Sequence, residues 1–250
     1  MEGAGGQVAV VYDVHCHIHE TPEALCVLDT LDTPERRTVF CVQATKYADW
    51  DDVIRLGEQH PGKVVPAVGV HPWCVLGECG IDKAARSPET HQVYPLDLQL
   101  QVFVTQLAIA HEVGVPVSIH CVRAFGQLAD VLRDAERRHA LPPRIMLHSY
   151  SGSPDMLQQV FFNGELGTRV YVSFSTAVNG RGRAKSMQCI RVAPADRLLV
   201  ESDLHCAHTA LPALDGAVDL VAEARGWLVP EARRVLARNS RAFFGDAAAM

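Results

Sequence analysis

Short runs of β-branched and aliphatic residues alternate along the chain with longer segments in which apolar residues recur at helical spacing. This alternation predicts a parallel β-sheet with helices packed outside it. Eight runs are typical of buried strands: VAVVYDVH (8–15), RTVFCVQA (37–44), KVVPAVGVH (63–71), CVLGECG (74–80), VPVSIHC (115–121), RIMLHSY (144–150), RVYVSFS (169–175) and RLLVESD (197–203). The clearest helical patterns cover residues 95–114, 124–140 and 230–245. We therefore expect a TIM-type (β/α)8 barrel that forms one domain over residues 1–250.

Composition narrows the class of protein. Apolar residues make up 48% of the 250 residues, yet no apolar run reaches the roughly 18–20 residues of a membrane helix. The first residues lack the basic start and long apolar stretch of a secretory signal. The eight cysteines contain no CxxC pair, which favours free buried thiols in a reducing compartment. We expect a cytoplasmic protein, with the nucleus as the alternative, and neither secretion nor a membrane.

The charge of the chain limits how it could meet nucleic acid. A formal net charge of −6 argues against a broad basic surface for tracking duplex DNA. A metal site and a few local arginines could still hold a single phosphate. The one notable basic cluster is RGRAK at 181–185, which is more typical of a solvated loop or helix start.

Metal-ligand residue types stand where the predicted strands end. They are His15, His17, His71, Glu78, His120, His148 and Asp203. In a barrel of this type the catalytic residues lie at the carboxyl ends of the strands. The two histidines of DVHCH are two apart on a strand and project to the same side, so both can reach one ion. We expect Asp13 to orient a histidine side chain or its backbone as a hydrogen-bond acceptor.

The chemistry of this set predicts a two-metal site. Without His71 it supplies four imidazoles and two carboxylates, enough for two divalent ions that share one carboxylate. Mixed nitrogen and oxygen ligands suit Zn²⁺ or Mn²⁺, and the carboxylates leave room for Mg²⁺.

The motifs in which these residues stand resemble those of the TatD-type metal-dependent deoxyribonucleases, a branch of the metal-dependent hydrolase barrels. The matching pieces are DVHCH (13–17), GVHPW (69–73), GECGID (77–82), VPVSIHCVRA (115–124), LHSYSGS (147–153), VSFS (172–175), ESD (201–203) and NSRAFFG (239–245). Their order and their placement at strand ends, across most of the chain, make the resemblance specific.

The resemblance implies a role for each matching ligand. His15, His17 and Asp203 would hold one ion, with Glu78 as the bridge to the second. His120 and His148 would complete the second ion's ligands. Asp203 would also accept a proton from the attacking water. The cofactors would then be two divalent ions, Mg²⁺, Mn²⁺ or Zn²⁺, and the substrate DNA, as single strands or ends.

The resemblance also implies contacts to the substrate. His71 corresponds to a family position that touches the scissile phosphate. Arg123 is a candidate phosphate contact, with a surface ion pair as the alternative. Ser149, Tyr150 and Ser151 would shape the phosphate pocket.

Two stretches depart from the family pattern. Trp73 stands where many members have a second histidine. ESDLHCAH (201–208) replaces the usual ETD-Ser-Pro ending, and its His205 and His208 either line the entrance or, as we favour, are simply exposed.

The third and fourth predicted strands are too close in sequence. Parallel neighbours need a crossover of about a dozen residues or more, but only Pro72, Trp73 and Cys74 follow His71 before Val75. Relatives carry a helix and the start of a strand at this place, so a crossover between strands 3 and 4 is missing. The gap indicates a splice form or faulty gene model, a natural deletion with a rearranged barrel, or a wrong strand assignment at 74–80 with Glu78 on a loop. Either of the first two would leave an open barrel with exposed apolar surface.

Three functions follow from these residues. We favour a TatD-type deoxyribonuclease that cleaves phosphodiester bonds through a water activated by two metal ions. The alternatives are a hydrolase of an amide, ester or lactone on the same barrel, and an inactive truncated form that acts only as a binding protein.

Overall fold

Parallel strands and flanking helices form the architecture that the sequence predicts. The computed structural model describes residues 9–21, 25, 28, 30–44, 47–69, 78–87 and 89–245. Its strands within these ranges are β1 Ala9–Cys16, β2 Arg36–Gln43, β3 Val64–Ala67, β4 Cys79–Asp82, β5 Val117–Val122, β6 Ile145–Leu147, β7 Val170–Phe174 and β8 Leu198–Val200. They pair in parallel as a sheet of order β1-β2-β3 and a sheet of order β4-β5-β6-β7-β8. Each strand overlaps its predicted run.

Helices follow most of the strands. They are α1 Trp50–Gln59, α2 Leu96–Val113, α3 Phe125–Arg137, α4 Pro154–Met156, α5 Gly164–Arg169, α6 Thr176–Asn179, α7 Arg183–Val192, α8 Ala207–Arg225 and α9 Val229–Phe244. The three helices predicted from the sequence are α2, α3 and α9. Gly114 ends α2 with φ 76°, a left-handed conformation that glycine adopts at little cost. Within the described ranges, the helices are too short or too polar to cross a membrane.

The strands of the larger sheet bury opposite faces in different clusters. Ile145 and Leu147 of β6 pack with α2, α3 and α8 residues, whereas Met146 between them packs against Phe243 and Phe244 of α9. β7 and β8 alternate in the same way, as the two-residue period of a strand requires. His148 lies two residues after Met146, so its side chain is on the same face of the sheet as that of Met146.

The first and last strands are joined at the end where the polar residues stand. The backbone N–H of Asp203 donates to the carbonyl of His15 at 3.1 Å, and that of His17 donates to the carbonyl of Leu204 at 2.8 Å. The N–H of Ser202 donates to Oδ1 of Asp13 at 2.8 Å. These bonds close the barrel between β8 and β1.

On the opposite side of the barrel, the described residues leave β3 and β4 unpaired with each other. β3 and β4 belong to different sheets, and no ladder pair joins them in the part of the chain that the structure describes. Residues 70–77, which contain the predicted junction, lie outside that part. The expected break between strands 3 and 4 is therefore confirmed for the described residues.

The fourth strand stands later in the sequence than expected. The pattern at 74–80 predicts a strand with Glu78 near its end. Residues 74–77 lie outside the described residues; within the described residues β4 begins at Cys79, so Glu78 precedes it. The pairing register with β5 explains this position. Gly80 lies opposite His120 with φ 150°, and a Cβ there would clash with the His120 carbonyl. Only the glycine lets the backbone of β4 approach β5 at this point.

An apolar cleft of about 450 Å³ lies along the open seam. Its walls include Val65, Ala67, Cys79, Ile109, Val117 and Phe244. Ile109 of α2 is 54% exposed and Val68 is 45% exposed, which is the uncovered apolar surface that an open barrel predicts.

Candidate metal centre

The six predicted ligands converge at one end of the strands. His15 lies in β1 and His17 directly after it, His120 lies in β5, His148 follows β6, Asp203 follows β8 and Glu78 precedes β4. All are buried or half-buried. Period-two alternation turns His15, His17 and His120 to the shared face of their strands, and the parallel arrangement brings the strand ends together.

Glu78 is the hub of the cluster. Its Oε2 forms an ion pair with Nε2 of His15 and lies 3.3 Å from Nε2 of His148. Its Oε1 lies 3.0 Å from Nδ1 of His120. The rings of His15 and His148 stack with their centroids 4.0 Å apart. One carboxylate therefore contacts histidines from both expected ion sites, which is the position of a bridging ligand.

Asp203 stands at the open side of the same cluster. Its Oδ1 lies 4.0 Å from Nε2 of His15 and 3.8 Å from Nε2 of His17. The Asp203 side chain is 18% exposed, against 4% for Glu78. Asp203 has φ 56°, and its N–H bond to the His15 carbonyl holds it there.

Three of the histidines have a polar partner at Nδ1, the ring nitrogen that does not contact the carboxylates of Glu78 and Asp203. Nδ1 of His15 lies 2.9 Å from Oγ of Ser118, and Nδ1 of His17 lies 3.0 Å from the Gln43 carbonyl. Nδ1 of His148 lies 3.2 Å from Oε1 of Glu201. Such partners fix the ring and its tautomer so that Nε2 faces the centre, as they do in metal sites.

The structure adds two carboxylates that the sequence analysis did not assign. Glu201 is fully buried, and its Oε1 also accepts from Oγ of Ser149 at 2.5 Å. Asp82, at the end of β4, lies 3.3 Å from Nε2 of His120. The signal that could have found Glu201 is its place directly after the apolar run that forms β8.

The charges shift the pKa values of the buried groups. Burial alone would lower the pKa of His148, but the carboxylates of Glu78 and Glu201 raise it to about 10. Burial likewise opposes the charged form of His120, yet Asp82 and Glu78 raise its pKa. Burial and the neighbouring His15 lower the pKa of His17 to about 4. In the absence of an ion, protons compensate the buried carboxylates.

This donor set fits two divalent ions. The ligand atoms of His15, His17 and Glu78 lie within 4.8 Å of one another, and so do those of Glu78, His120 and His148. The shared member is Glu78, and cations replacing the histidine protons would neutralise the carboxylates.

The residues expected to contact substrate differ in exposure and in their hydrogen-bond partners. Arg123 is exposed at the end of β5 with φ 56°. Ser149 is buried, and its hydroxyl lies 2.7 Å from Oγ of Ser175 in addition to its bond with Glu201. The hydroxyl of Tyr150 donates to the Ser153 carbonyl at 3.0 Å. The backbone carbonyl of Ser151 accepts from Nζ of Lys185 at 2.7 Å.

Of the other histidines and the tryptophan singled out in the sequence, the structure describes His205 and His208. His71 and Trp73 lie outside the described residues. His208 is exposed on α8. His205 is exposed as well, but its ring stacks on that of His17 with centroids 5.3 Å apart, and its Nδ1 lies 2.7 Å from Oε2 of Glu20. That hydrogen bond raises the pKa of His205.

A parallel α/β barrel with a shared carboxylate among four histidines at its strand ends defines a metal-dependent hydrolase. The family profile described as TatD related DNase matches residues 73–245, and the chain belongs to this family. The resemblance inferred from the motifs is thereby confirmed.

Two curated relatives show how the similarity is spread. The Cut9-interacting protein scn1 of Schizosaccharomyces pombe is 24% identical over 93% of this chain and 98% of that protein. The 3'-5' ssDNA/RNA exonuclease TatD of Pantoea vagans is 29% identical over 66% of this chain and 67% of its own length. The alignment with scn1 runs over 334 positions, more than the 250 residues of this chain. That relative therefore carries many residues without a counterpart in this chain. This agrees with a segment missing from this chain.

Solved structures confirm the fold. YJJV, a TatD homolog from Escherichia coli, superposes with a TM-score of 0.54 at 20% identity, covering 96% of this chain and 86% of its own. The TatD-like protein from Archaeoglobus fulgidus gives a TM-score of 0.55 at 18% identity, with 93% and 99% covered.

Proposed function

We propose that this chain hydrolyses the phosphodiester bonds of DNA, on single strands or at strand ends, with two divalent ions bound at the centre. The observation that carries the proposal is the contact of one buried carboxylate, Glu78, with His15, His120 and His148. A bridging carboxylate of this kind is what a two-ion site requires.

The residues divide between the two ions. His15, His17 and Asp203 would hold one ion and His120 and His148 the other, with Glu78 on both; Mg²⁺, Mn²⁺ and Zn²⁺ suit these ligands. When bound, such ions lower the pKa of water and stabilise charge on the phosphoryl oxygens.

The proton of the attacking water needs an acceptor, and Asp203 is suited to this role. Its carboxylate lies at the more exposed side of the centre, while Glu78 is enclosed by histidine rings. The bond from its backbone N–H to the His15 carbonyl keeps it close to His15 and His17. Asp203 therefore combines solvent access with a fixed position, as a general base requires.

Local cations would hold the phosphates. Arg123 follows the strand that carries His120, and Lys185 contacts the carbonyl of Ser151, close in sequence to His148. Ser149 would act through Glu201, to which its hydroxyl is bonded, and the roles of Ser151 and His71 as phosphate contacts remain predictions. In a chain of net charge −6, such point contacts suit a strand end better than a long duplex.

The test is cleavage of end-labelled single-stranded DNA in Mg²⁺ or Mn²⁺. Glu78→Gln and Asp203→Asn should each lower the rate by ~10²-fold or more. The exposed carboxylates Glu112 and Asp155 provide matched controls, since Glu112→Gln and Asp155→Asn should leave the rate unchanged. Cleavage that survives both Glu78→Gln and Asp203→Asn contradicts the proposal.

The same preparation separates the alternative functions. Faster turnover of amides, esters or lactones than of DNA would favour the carbonyl hydrolase. A folded chain that holds no metal and cleaves nothing would favour a binding protein.

We also propose an intracellular location, the cytoplasm or, alternatively, the nucleus. The proposal is supported by Cys16, Cys41, Cys79, Cys121 and Cys189, which are buried free thiols in the structure and suit a reducing compartment. Cell fractionation tests it, and recovery of the protein from the medium would contradict it.

A further inference from the structure

A second group of histidines and carboxylates lies beside the metal centre and uses none of its six ligands. Its members are His19, Glu20, Asp49 and His205. One ligand atom from each of His19, Glu20 and Asp49 lies within 4.8 Å of the other two. His205 joins them through Nδ1, which is 2.7 Å from Oε2 of Glu20.

Three neighbouring segments bring this group together. His19 and Glu20 lie in the 3-10 turn Ile18–Glu20, which begins directly after His17. Asp49 ends the 3-10 turn Tyr47–Asp49 and precedes α1, in the segment that follows β2. His205 lies in the loop between β8 and α8. Because β1 is hydrogen-bonded to β2 on one side and to the segment after β8 on the other, these segments meet at the barrel rim.

The group is buried at its base and open at its mouth. The side chains of His19 and Asp49 are 6% and 12% exposed, and those of Glu20 and His205 are 32% and 58% exposed. An ion from solution could therefore enter past Glu20 and His205 and reach ligands that are held in place by the fold.

We propose that His19, Glu20, Asp49 and His205 form an additional divalent-cation site, suited to Zn²⁺ or Mn²⁺, at the rim of the two-ion centre. Two imidazoles and two carboxylates match the ligand types of these ions, whereas Ca²⁺ and Mg²⁺ favour oxygen ligands throughout.

The spacing of the buried pair agrees with this assignment. In a tetrahedral zinc site with bonds of ~2.0–2.2 Å, neighbouring ligand atoms lie roughly 3.3–3.6 Å apart. Nε2 of His19 and Oδ2 of Asp49 are 3.4 Å apart. Glu20 and His205 are closer, and they would separate by side-chain rotation at the open mouth.

The additional site would adjoin the centre through one imidazole. The ring of His17 stacks on that of His205, with centroids 5.3 Å apart, and its centroid lies 6.5 Å from that of His19. His17 itself is a proposed ligand of the centre, so a cation at the rim would add positive charge beside that centre. The assignment uses other residues and does not depend on the proposed hydrolysis.

The test counts metal ions in the full chain. Metal-free protein is dialysed against Zn²⁺ and analysed for zinc, both as wild type and as the Glu78→Gln/Asp203→Asn variant, in which the centre is weakened. In each background His19→Gln should remove about one equivalent of zinc. His205→Gln should weaken binding of that equivalent ~10-fold or more.

The control is His208→Gln, which changes an exposed histidine three residues beyond His205 and should remove no zinc. Circular dichroism of the metal-free variants shows whether each is folded, and the exposed His205 provides a variant that leaves the buried pair in place. If His19→Gln and His205→Gln each bind as much zinc as the parent protein, the proposal is overturned, and the group consists of two ordinary ion pairs. Loss of one zinc equivalent supports the additional site whether the protein cleaves DNA or not, so this result is independent of the proposed function.

Discussion

Nδ1 of His148 lies 3.2 Å from Oε1 of Glu201, and burial isolates the two side chains, which are 6% and 0% exposed. Glu201 also receives hydrogen bonds from Ser149 and Ser173. The pair therefore anchors the imidazole of His148, a predicted ligand, to the end of β8 and, through Ser173, to β7. Its energetic weight can be measured without touching a predicted ligand.

Replacing Glu201 by glutamine should weaken metal binding while the fold persists. Glutamine keeps the shape but removes the charge that orients and polarises His148, and the loss of such a partner costs ~10–100-fold in metal affinity. Calorimetric titration with Mn²⁺ measures the change. Glu223→Gln, at an exposed ion pair with Arg183, is the control and should leave the affinity unchanged. An unaltered affinity in Glu201→Gln would show that the pair does not support the centre.

Metal binding should strengthen as the pH rises from 6 to 9. The pKa of His148 is raised to about 10 in the metal-free fold, so the ion must displace a proton there, and that displacement becomes easier at higher pH. Conversely, because this pKa lies above its unfolded value, protonated His148 stabilises the metal-free fold below pH ~6.5. That stabilisation is lost as the pH rises towards about 10.

Equilibrium dialysis with Mn²⁺ at several pH values checks the first effect and urea unfolding the second. In His148→Gln both pH dependences should become shallower. Binding that does not change between pH 6 and 9 would contradict the prediction.

Asp13 should matter to stability more through its acceptor oxygen than through its charge. Its Oδ1 accepts from the N–H of Ser202 at 2.8 Å and from that of His15 at 3.4 Å, and burial raises its pKa to about 7. Asp13→Ala leaves these buried donors unsatisfied and should cost about 1–3 kcal/mol in the free energy of unfolding, whereas Asp13→Asn keeps the acceptor and should cost less.

Urea unfolding gives both values, and equal losses for the two variants would contradict the reasoning. A single transition in the same experiment would support the prediction of one domain over residues 1–250, since two independent units would unfold in separate steps.

The open seam should bind a hydrophobic dye. The cleft between β3 and β4 is largely apolar, and Ile109 on its α2 wall is 54% exposed. Ile109→Glu introduces a negative charge into this wall, which repels the sulfonate of a naphthalene-sulfonate dye, and it should lower the fluorescence of the bound dye. Leu228→Glu introduces the same charge at a 76% exposed leucine that does not line the cleft, and it should leave the dye signal unchanged. An equal loss of signal in both variants would place the dye elsewhere.

Much of the candidate site could be predicted because each candidate ligand is marked by its local sequence. His15, His120 and His148 each stand in or directly after an apolar run, and strand geometry turns such residues to a known face. The bounds predicted for the fourth strand differ from those of β4 because the apolar residues of this segment do not determine how it pairs with β5. That register depends on Gly80, which permits close approach to His120 of the next strand.

Partners from distant segments could not be read in the same way. Glu201 reaches His148 from β8, Ser118 reaches His15 from β5, and Asp49 reaches His19 from the segment after β2. No spacing in the chain marks these pairs, since each arises only when separate strands are packed side by side.

The sequence by itself determined the barrel class, the family and the candidate ligands, because period-two patterning and motif order are properties of short segments. It also marked the break between strands 3 and 4, since chain length limits what a connection can span. Only the tertiary structure decided that Glu78 contacts histidines of both expected ion sites, that β8 closes on β1 while β3 and β4 stay apart, and that His19 and His205 belong to one cluster. Those relationships depend on strand packing, which no short stretch of the chain encodes.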